Sequence, residues 1–253
     1  MSINSEQLYA ELYDNTVPDW DGEIDFYREL ARGKTVLEVA CGTGRVTLRL
    51  VEEAVNIVGT DLDEEMLAVA RKKSEGMANV RWERGDMRTF DLGSQFDVII
   101  SPGHSFQFMC TPEDQLKTVE NFRRHLLPGG MLVIHLDHQD LDWLGGLKGE
   151  FEQARNVIQL QTGNTIRSAF AWTYERATQT ATVITKWEEI GSNGSVLHSW
   201  ESIPKALHCV FRFEMEHLLA RAGFEQRIVY GDFFKNTLNE TSSEMIWVTK
   251  NIS

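Results

Sequence analysis

Short apolar segments alternate with amphipathic segments from Thr35 to Asp137, and this alternation limits the possible folds more than any other feature. The apolar segments have the length and the β-branched content of buried strands. Strands are predicted at Thr35–Ala40, Asn56–Thr60, Val80–Arg84, "FDVIIS" and "MLVIHLD". Because a helix-forming or loop segment separates each pair of strands, the pattern predicts a parallel, doubly wound α/β sheet.

Residues that begin and end helices support this alternation. In "DEEMLAVARKKSEG", Asp63 is a predicted N-cap and Gly76 a predicted stop, and in "TPEDQLKTVENFRRHL" Thr111 caps a helix that starts with Pro112. Further helices are expected at the N-terminus, over 21–31, 45–53 and 212–222.

Two final strands, Phe224–Tyr230 and Glu244–Lys250, are separated only by a loop. Strands joined in this way pair in opposite directions, so the last strand is expected to be antiparallel in a sheet of seven.

The region after Asp142 has a different pattern. The run "TIRSAFAWTYERATQTATVITKWEEIGSNGSVLHSWESIP" is rich in Thr, Val, Ile and Trp, and "RATQ" and "GSNG" are typical of turns. It predicts an antiparallel β insertion of about three strands over 151–204, within a single domain of residues 1–253. Its tryptophans, Trp172, Trp187 and Trp200, are expected either to pack against the sheet or to line a pocket.

Composition narrows the class of protein. The formal net charge of −13 would repel a phosphate backbone, so no nucleic-acid partner is expected. Three cysteines, far apart and without a CxxC spacing, are typical of a reducing compartment rather than of disulfides or zinc. No apolar run reaches the roughly 18 residues of a membrane span, and the polar, acidic N-terminus does not resemble a signal peptide. A cytoplasmic protein without membrane contact is expected.

Small residues lie where the first strand gives way to a helix, in "VLEVACGTGRVTLRL". Gly42 and Gly44 permit a tight turn and close approach of a ligand, and the following helix offers unpaired N–H groups. Asp61 ends the next strand, 17 residues after Gly44, where a carboxylate can accept hydrogen bonds from a ribose diol. "RGDM" and "SPGHSFQF" follow the third and fourth strands. Since ligands bind at the carboxyl ends of parallel strands, a nucleotide-type ligand is predicted there.

Two classes of cofactor use this geometry. A nicotinamide dehydrogenase has the pattern G-x-G-x-x-G, but Thr47 occupies the third glycine position here. The other class is an adenosine that carries a charged amino acid. A nicotinamide-dependent oxidoreductase remains the alternative, together with a protein that binds the second cofactor without catalysis.

Five ordered segments carry a resemblance to a known family: "VLEVACGTGR", "VGTDLDEEMLAVARKK", "VRWERGDMRTF", "FDVIISPGHSF" and "HLLPGGMLVI". Together they resemble the signature of class I S-adenosylmethionine-dependent methyltransferases. The resemblance covers Thr35 to Asp137 and the final strand pair, about half of the chain. Ala40 stands where that family usually has a glycine. The resemblance implies a Rossmann-like fold, S-adenosyl-L-methionine as cofactor and methyl transfer to an O or N nucleophile of a small molecule.

The resemblance also implies roles for individual residues. The residues expected to face the methionine part of the cofactor are Glu38, Ala40, Cys41, Gly42 and Gly44. Those expected around the adenosine are Asp61 for the ribose, Leu62 and Met87 beside the adenine, and Asp86 for the adenine amino group. Ser101 would offer its carbonyl near the methionine ammonium. A helical lid over residues 1–32 would close on the cofactor with Tyr9 and Tyr13.

Three side chains are candidates for catalysis. His104 and His138 lie in loops at strand ends and can act as a general base, and Tyr13 can orient the acceptor. "HLDHQD" brings His135, Asp137, His138 and Asp140 together in sequence, but His135 lies within a strand and alternation directs it elsewhere, so no metal is expected. The β insertion is expected to cover the acceptor; a homodimer interface is the alternative use of its aromatic face.

Overall fold

The computed structural model describes residues 5–17, 19–152, 156–160 and 162–251. Its α-helices are α1 (Ser5–Thr16), α2 (Glu23–Ala31), α3 (Thr47–Leu50), α4 (Glu64–Lys73), α5 (Pro112–Arg124), α6 (Leu141–Gly146) and α7 (Arg212–Arg221). Its strands are β1 (Thr35–Val39), β2 (Asn56–Asp61), β3 (Val80–Arg84), β4 (Phe96–Ser101), β5 (Leu126–Asp137), β6 (Asn156–Gln159), β7 (Thr165–Glu175), β8 (Thr180–Ile190), β9 (Val196–Glu201), β10 (Lys205–His208), β11 (Gln226–Tyr230) and β12 (Glu244–Lys250).

The chain forms two compact units. One unit contains the described residues of Met1–Val17 and Asp140–Cys209, and the other those of Pro18–Gln139 and Val210–Ser253. The boundaries differ from the predicted lid over 1–32 and insertion over 151–204, which stay predictions. Parts of both predicted segments, residues 1–4, 18, 153–155 and 161, lie outside the described residues.

The larger unit is a seven-stranded sheet in the order β11-β12-β5-β4-β1-β2-β3. β1 pairs in parallel with β2 and β4, whereas β12 runs antiparallel to both β5 and β11. The α/β Rossmann-like sheet with an antiparallel last strand is therefore confirmed. Chain order reverses between β1 and β4, so the carboxyl ends of these two strands border the crevice where doubly wound sheets bind ligands.

Burial on both faces explains why central strands such as β1 and β4 are mostly apolar. In β1, Val36 packs in one core cluster and Leu37 in another, because successive side chains of a strand point to opposite faces. Both side chains are completely buried. The two clusters hold the sheet between its helical layers.

Two elements of this unit differ from their predicted bounds by more than two residues. α3 covers four residues instead of the nine expected over 45–53, and its flanks at Val46 and Val51 are β-branched residues of low helix propensity. β5 begins at Leu126 rather than Met131, because Leu126 pairs with Phe96 before an irregularity in the ladder.

The smaller unit contains a five-stranded antiparallel sheet. Three of its strands, β7, β8 and β9, lie in the run that predicts about three strands, and β6 and β10 flank this run. β9 and β10 share one edge of β8, with Pro204 between them. Proline cannot donate to a ladder, so the edge is divided into two short strands there. Trp187 is buried with Leu8 and Leu12 of α1, which favours the packing role for this tryptophan.

No helix within the described part of the chain is long and apolar enough to cross a membrane.

Candidate active site

The turn after β1 is built from backbone conformations that favour glycine. Ala40, Gly42 and Gly44 have φ angles of 55°, 55° and 78°. A side chain at Gly44 would place its Cβ 2.5 Å from Cη2 of Trp82, so the indole of β3 is one group that requires this glycine. Ala40 adopts the left-handed conformation with a Cβ, which costs roughly 1–2 kcal/mol in an L-residue.

Asp61 joins this turn to the end of β2. Its Oδ2 accepts a hydrogen bond from the Gly42 N–H at 2.7 Å, and its Oδ1 accepts one from the Asp63 N–H at 2.9 Å. Burial raises the pKa of the carboxyl group above its usual value. An ionised carboxylate has about four acceptor positions, so Asp61 retains capacity for two further donors such as the hydroxyls of a diol.

Glu38 lies beneath the turn and is 2% exposed. The Thr47 hydroxyl donates a short hydrogen bond to its Oε2. Burial raises the pKa of Glu38 to about 8, although Thr47 and the nearby Arg45 oppose this shift. At neutral pH the carboxyl is therefore mainly protonated. The threonine that replaces the third glycine of a dinucleotide pattern thus has a structural partner in Glu38.

Arg45 is fixed at the start of the segment that follows the turn. Its guanidinium forms ion pairs with Glu23 at 2.6 Å and with Asp19 at 2.6 Å. Its carbon Cζ lies 5.4 Å from the centroid of the Trp20 ring.

Asp86 follows β3 and is held by Arg88. Arg88 Nε and Nη2 donate to the Asp86 carboxylate at 2.9 and 2.5 Å, and these bonds hold the pKa of Asp86 below its usual value. Arg88 also bridges to Asp114 at 3.0 Å. Since Arg88 uses much of the acceptor capacity of Asp86, an adenine amino group at this position would share the carboxylate with the guanidinium.

Apolar groups flank these carboxylates. Met87 packs against the core, and Leu62 is 58% exposed beside Asp61. Cys41 is buried, and burial raises the pKa of its thiol well above the usual value. Cys41 is therefore a packing residue rather than a nucleophile.

The loop after β4 brings a second group of polar residues to the same sheet edge. Ser101 is fully buried, and its Oγ lies 3.0 Å from Oγ of Ser105, which donates to the Pro102 carbonyl at 2.8 Å. Gly103 and His104 both adopt left-handed φ angles, of 62° and 61°. A histidine in this conformation is strained, and such strain is concentrated at functional sites.

His104 contacts residues that the sequence did not indicate. Its Nε2 lies 2.7 Å from Oε2 of Glu244, and Nε2 of His135 lies 2.7 Å from the same oxygen. Trp20 donates from Nε1 to the other oxygen of Glu244 at 3.0 Å. The sequence did not predict Glu244 as a site residue, because its contacts with His104 and His135 depend on the antiparallel register of β12. This register pairs Glu244 with Asp137 at the end of β5.

The other predicted catalytic residues lie elsewhere. His138 donates from Nδ1 to the Ser242 carbonyl at 2.7 Å, so its Nε2 is the nitrogen with a lone pair. Tyr9 and Tyr13 lie on α1 in the smaller unit, where Tyr9 contacts Tyr13 and Trp187 at ring distances of 5.6 Å. The functional roles predicted for individual residues stay predictions.

The sheet order, the turn after β1 and the carboxylate at the end of β2 define an α/β protein of the nucleotide-cofactor-binding type. Residues 36–130 match the family model described as a methyltransferase domain. The resemblance to class I S-adenosylmethionine-dependent methyltransferases, found in the sequence, is confirmed.

Curated relatives extend this similarity. A dTDP-3-amino-3,4,6-trideoxy-alpha-D-glucopyranose N,N-dimethyltransferase of Streptomyces venezuelae is 31% identical over 137 residues, which cover 52% of this chain and 56% of the relative. A glycine/sarcosine N-methyltransferase of Halorhodospira halochloris is 34% identical over 157 residues, which cover 55% of this chain and 58% of that protein. The chain spans about half the length of the curated relatives it matches.

Solved structures match over almost the whole chain. An amino pentose methyltransferase from Micromonospora echinaspora, involved in calicheamicin biosynthesis, has a TM-score of 0.74 and 22% identity and covers 99% of both chains. A sugar N-methyltransferase from Streptoalloteichus has a TM-score of 0.76 and 21% identity over 100% of this chain and 95% of that one. At these identities the likeness establishes a shared fold.

Proposed function

We propose that this protein is an S-adenosylmethionine-dependent methyltransferase that acts on the nitrogen of a small molecule, with amines on sugars as the first class of acceptor to test. The observation that carries the proposal is the Asp61 carboxylate, held against the Gly42 N–H at the carboxyl ends of β1 and β2. The names of the relatives support nitrogen over oxygen as the acceptor.

The residues around the turn fit this cofactor. Asp61 would accept from the ribose hydroxyls, and the exposed Leu62 would contact the adenine. The protonated Glu38 and the turn of residues 40–44 would face the methionine part. When bound, the cofactor supplies an activated methyl group on a sulfonium, so the protein's own task is to position an acceptor and exclude water.

The acceptor must supply a lone pair. The cofactor would supply the methyl group, with an N–C bond formed as the S–C bond breaks, and a neutral histidine would receive the proton that the nitrogen loses. His104 is the better placed candidate, because its strained loop follows β4 directly at the switch in strand order. His138, with its free Nε2, is the second candidate.

The further expectations belong to the same proposal. We propose that α1, with Tyr9 and Tyr13, closes over the cofactor, and that the β insertion over 151–204 covers the acceptor. A homodimer through its aromatic face is the competing use. The three free cysteines are consistent with a cytoplasmic location.

The experiment compares two aspartates by isothermal titration with adenosylhomocysteine and with NADH. The wild type should bind adenosylhomocysteine and not NADH. Asp61→Ala should weaken adenosylhomocysteine binding by about 1–3 kcal/mol, because it removes an ionised acceptor.

The matched control is Asp97→Ala. Asp97 also accepts two hydrogen bonds, both from Thr35 at 2.8 Å, but it lies at the amino end of β4. Its replacement should reduce stability and leave the affinity unchanged. Equal losses of affinity in both variants, or tighter binding of NADH by the wild type, would remove the basis of the proposal. Transfer of a labelled methyl group to a nucleotide-linked amino sugar then tests the acceptor class.

A further inference from the structure

Glu244 lies between two imidazoles at the carboxyl edge of the sheet. It is the first residue of β12, and its side chain is 12% exposed. One carboxylate oxygen lies 2.7 Å from Nε2 of both His104 and His135, and the other accepts the Trp20 indole N–H. Three ring nitrogens from three separate chain segments therefore converge on one carboxylate.

The hydrogen bonds fix the tautomer of His135. The Gly103 N–H donates to Nδ1 of His135 at 3.3 Å, so the proton of the neutral ring is on Nε2 and points to Glu244. Burial lowers the pKa of His135 to about 4, which keeps this ring neutral at physiological pH. His135 thus acts as a fixed donor that helps to hold Glu244 in place.

Glu244 is ionised in this setting. Burial alone would raise its pKa, but opposing effects, of which the hydrogen bonds from the two histidines are the largest, lower it to about 2. An ionised carboxylate can only accept, so His104 must present an N–H from Nε2. The lone pair of neutral His104 is then on Nδ1, for which the structure gives no partner among the described residues.

We propose that Glu244 is a positioning residue: it holds His104 in the tautomer whose Nδ1 receives the acceptor proton, while His135 and Trp20 hold Glu244. This inference rests on the proposed function. His104 is the more accessible of the two histidines, with 22% of its side chain exposed against none for His135. In this arrangement a carboxylate accepts from one ring nitrogen of a histidine and so orients the other nitrogen as the base, as in a catalytic triad.

The same side chains form a set that can hold a metal ion, since their ligand atoms lie within 4.8 Å of one another. A metal would need lone pairs on both Nε2 atoms. The Gly103 N–H instead occupies the lone pair of His135 Nδ1 and leaves the proton on Nε2. The geometry therefore favours a hydrogen-bonded network, and a metal is an outcome that the test must reject.

The kinetic test uses Glu244→Gln, which keeps the shape and removes the charge, with Glu240→Gln as a matched control on an exposed residue. Glu244→Gln should lower kcat about 10- to 100-fold. The Kd for adenosylhomocysteine should stay within about twofold. In a His104→Ala background, the same substitution should cause no further loss. An equal loss in both backgrounds would overturn the proposal.

A second measurement does not depend on turnover, so it tests the proposal even if a variant folds poorly or the wild type is inactive. The ¹⁵N NMR spectrum of the wild-type imidazoles should show His104 protonated on Nε2 at a pH where it is neutral. Trp20→Phe, which removes one donor to Glu244, should raise the Nδ1–H fraction. A wild-type proton on Nδ1, or a turnover that chelation abolishes and added Zn²⁺ restores, would overturn the proposal. If the proposed function is wrong, the wild type will lack methyl transfer, or will not bind the cofactor, and His104 will still have the predicted tautomer.

Discussion

Replacement of Glu38 by glutamine should change how the stability of the protein depends on pH. Glu38 is buried below the turn after β1, and its folded-state pKa of about 8 lies far above its ordinary value of 4.5. Between these two values the unfolded chain has lost the proton and the folded chain has kept it. Folding therefore takes up one proton in this window, and the wild type loses stability as the pH rises.

The magnitude is set by the size of the window. Each pH unit costs the wild type about 1.4 kcal/mol of unfolding free energy from this group. Glutamine cannot ionise, and its amide oxygen can still accept from the Thr47 hydroxyl. The unfolding free energy of Glu38→Gln should thus increase relative to that of the wild type from pH 4.5 upward. The gain should reach about 3 kcal/mol near neutral pH and about 4–5 kcal/mol at the upper end of the window.

The assay is urea unfolding at about half-unit steps from roughly pH 5 to pH 8.5, which spans the window in which the proton is taken up, with Glu240→Gln as the exposed control. The difference in unfolding free energy between Glu38→Gln and the wild type should increase with pH. The same difference for the control should stay nearly constant. If neither variant shows a difference in unfolding free energy that changes with pH, the reasoning is refuted. This result would mean that Glu38 is ionised in the folded protein and that Arg45 and Thr47 compensate its burial.

Three further predictions concern the turn and the β insertion. Gly44→Ala should destabilise the protein by about 2–4 kcal/mol, since its Cβ would clash with Trp82 in a left-handed turn, and Trp82→Phe should restore part of this loss in urea unfolding. Ala40→Gly should stabilise it by about 0.5–1 kcal/mol, because relief at φ 55° exceeds the added entropy of the unfolded chain; a lower midpoint would contradict this. Replacement of residues 151–204 by a short linker should abolish methyl transfer and spare adenosylhomocysteine binding, and full turnover would exclude the acceptor-covering role.

The bounds of an element could be predicted from the sequence where local residue patterns determine them. β3, β4 and β12 have the predicted bounds. β4 and β12 are compact apolar or β-branched runs, and β3 alternates apolar with charged residues, so both patterns are read locally. The Asp63 and Thr111 caps are present, with side-chain oxygens that accept from the first turn of each helix. The run that predicts the insertion contains β7, β8 and β9, whereas β6 and β10 lie just outside it and were not predicted.

Within the site, the sequence could place only the residues whose positions result from parallel topology. Asp61 is close to Gly42 because β1 and β2 are neighbours in a parallel sheet. The contacts of Glu244 with His135 and His104 span 109 and 140 residues. They depend on the register of an antiparallel strand that no local pattern determines. A strand-terminal glutamate is a common surface residue, so nothing in its own sequence distinguishes it.

The environments of Glu38 and Glu244 assign them different chemistry. Both glutamates lose water contact, yet burial prevails at Glu38 and is overcome at Glu244. The difference lies in the donors: Glu38 accepts from the Thr47 hydroxyl, whereas two imidazoles and the Trp20 indole donate to Glu244. The neutral acid at Glu38 offers an O–H, and the anion at Glu244 can only accept. Carboxyl groups with separated pKa values can divide the tasks of a site, so Glu38 is suited to hold a polar ligand and Glu244 to hold a base.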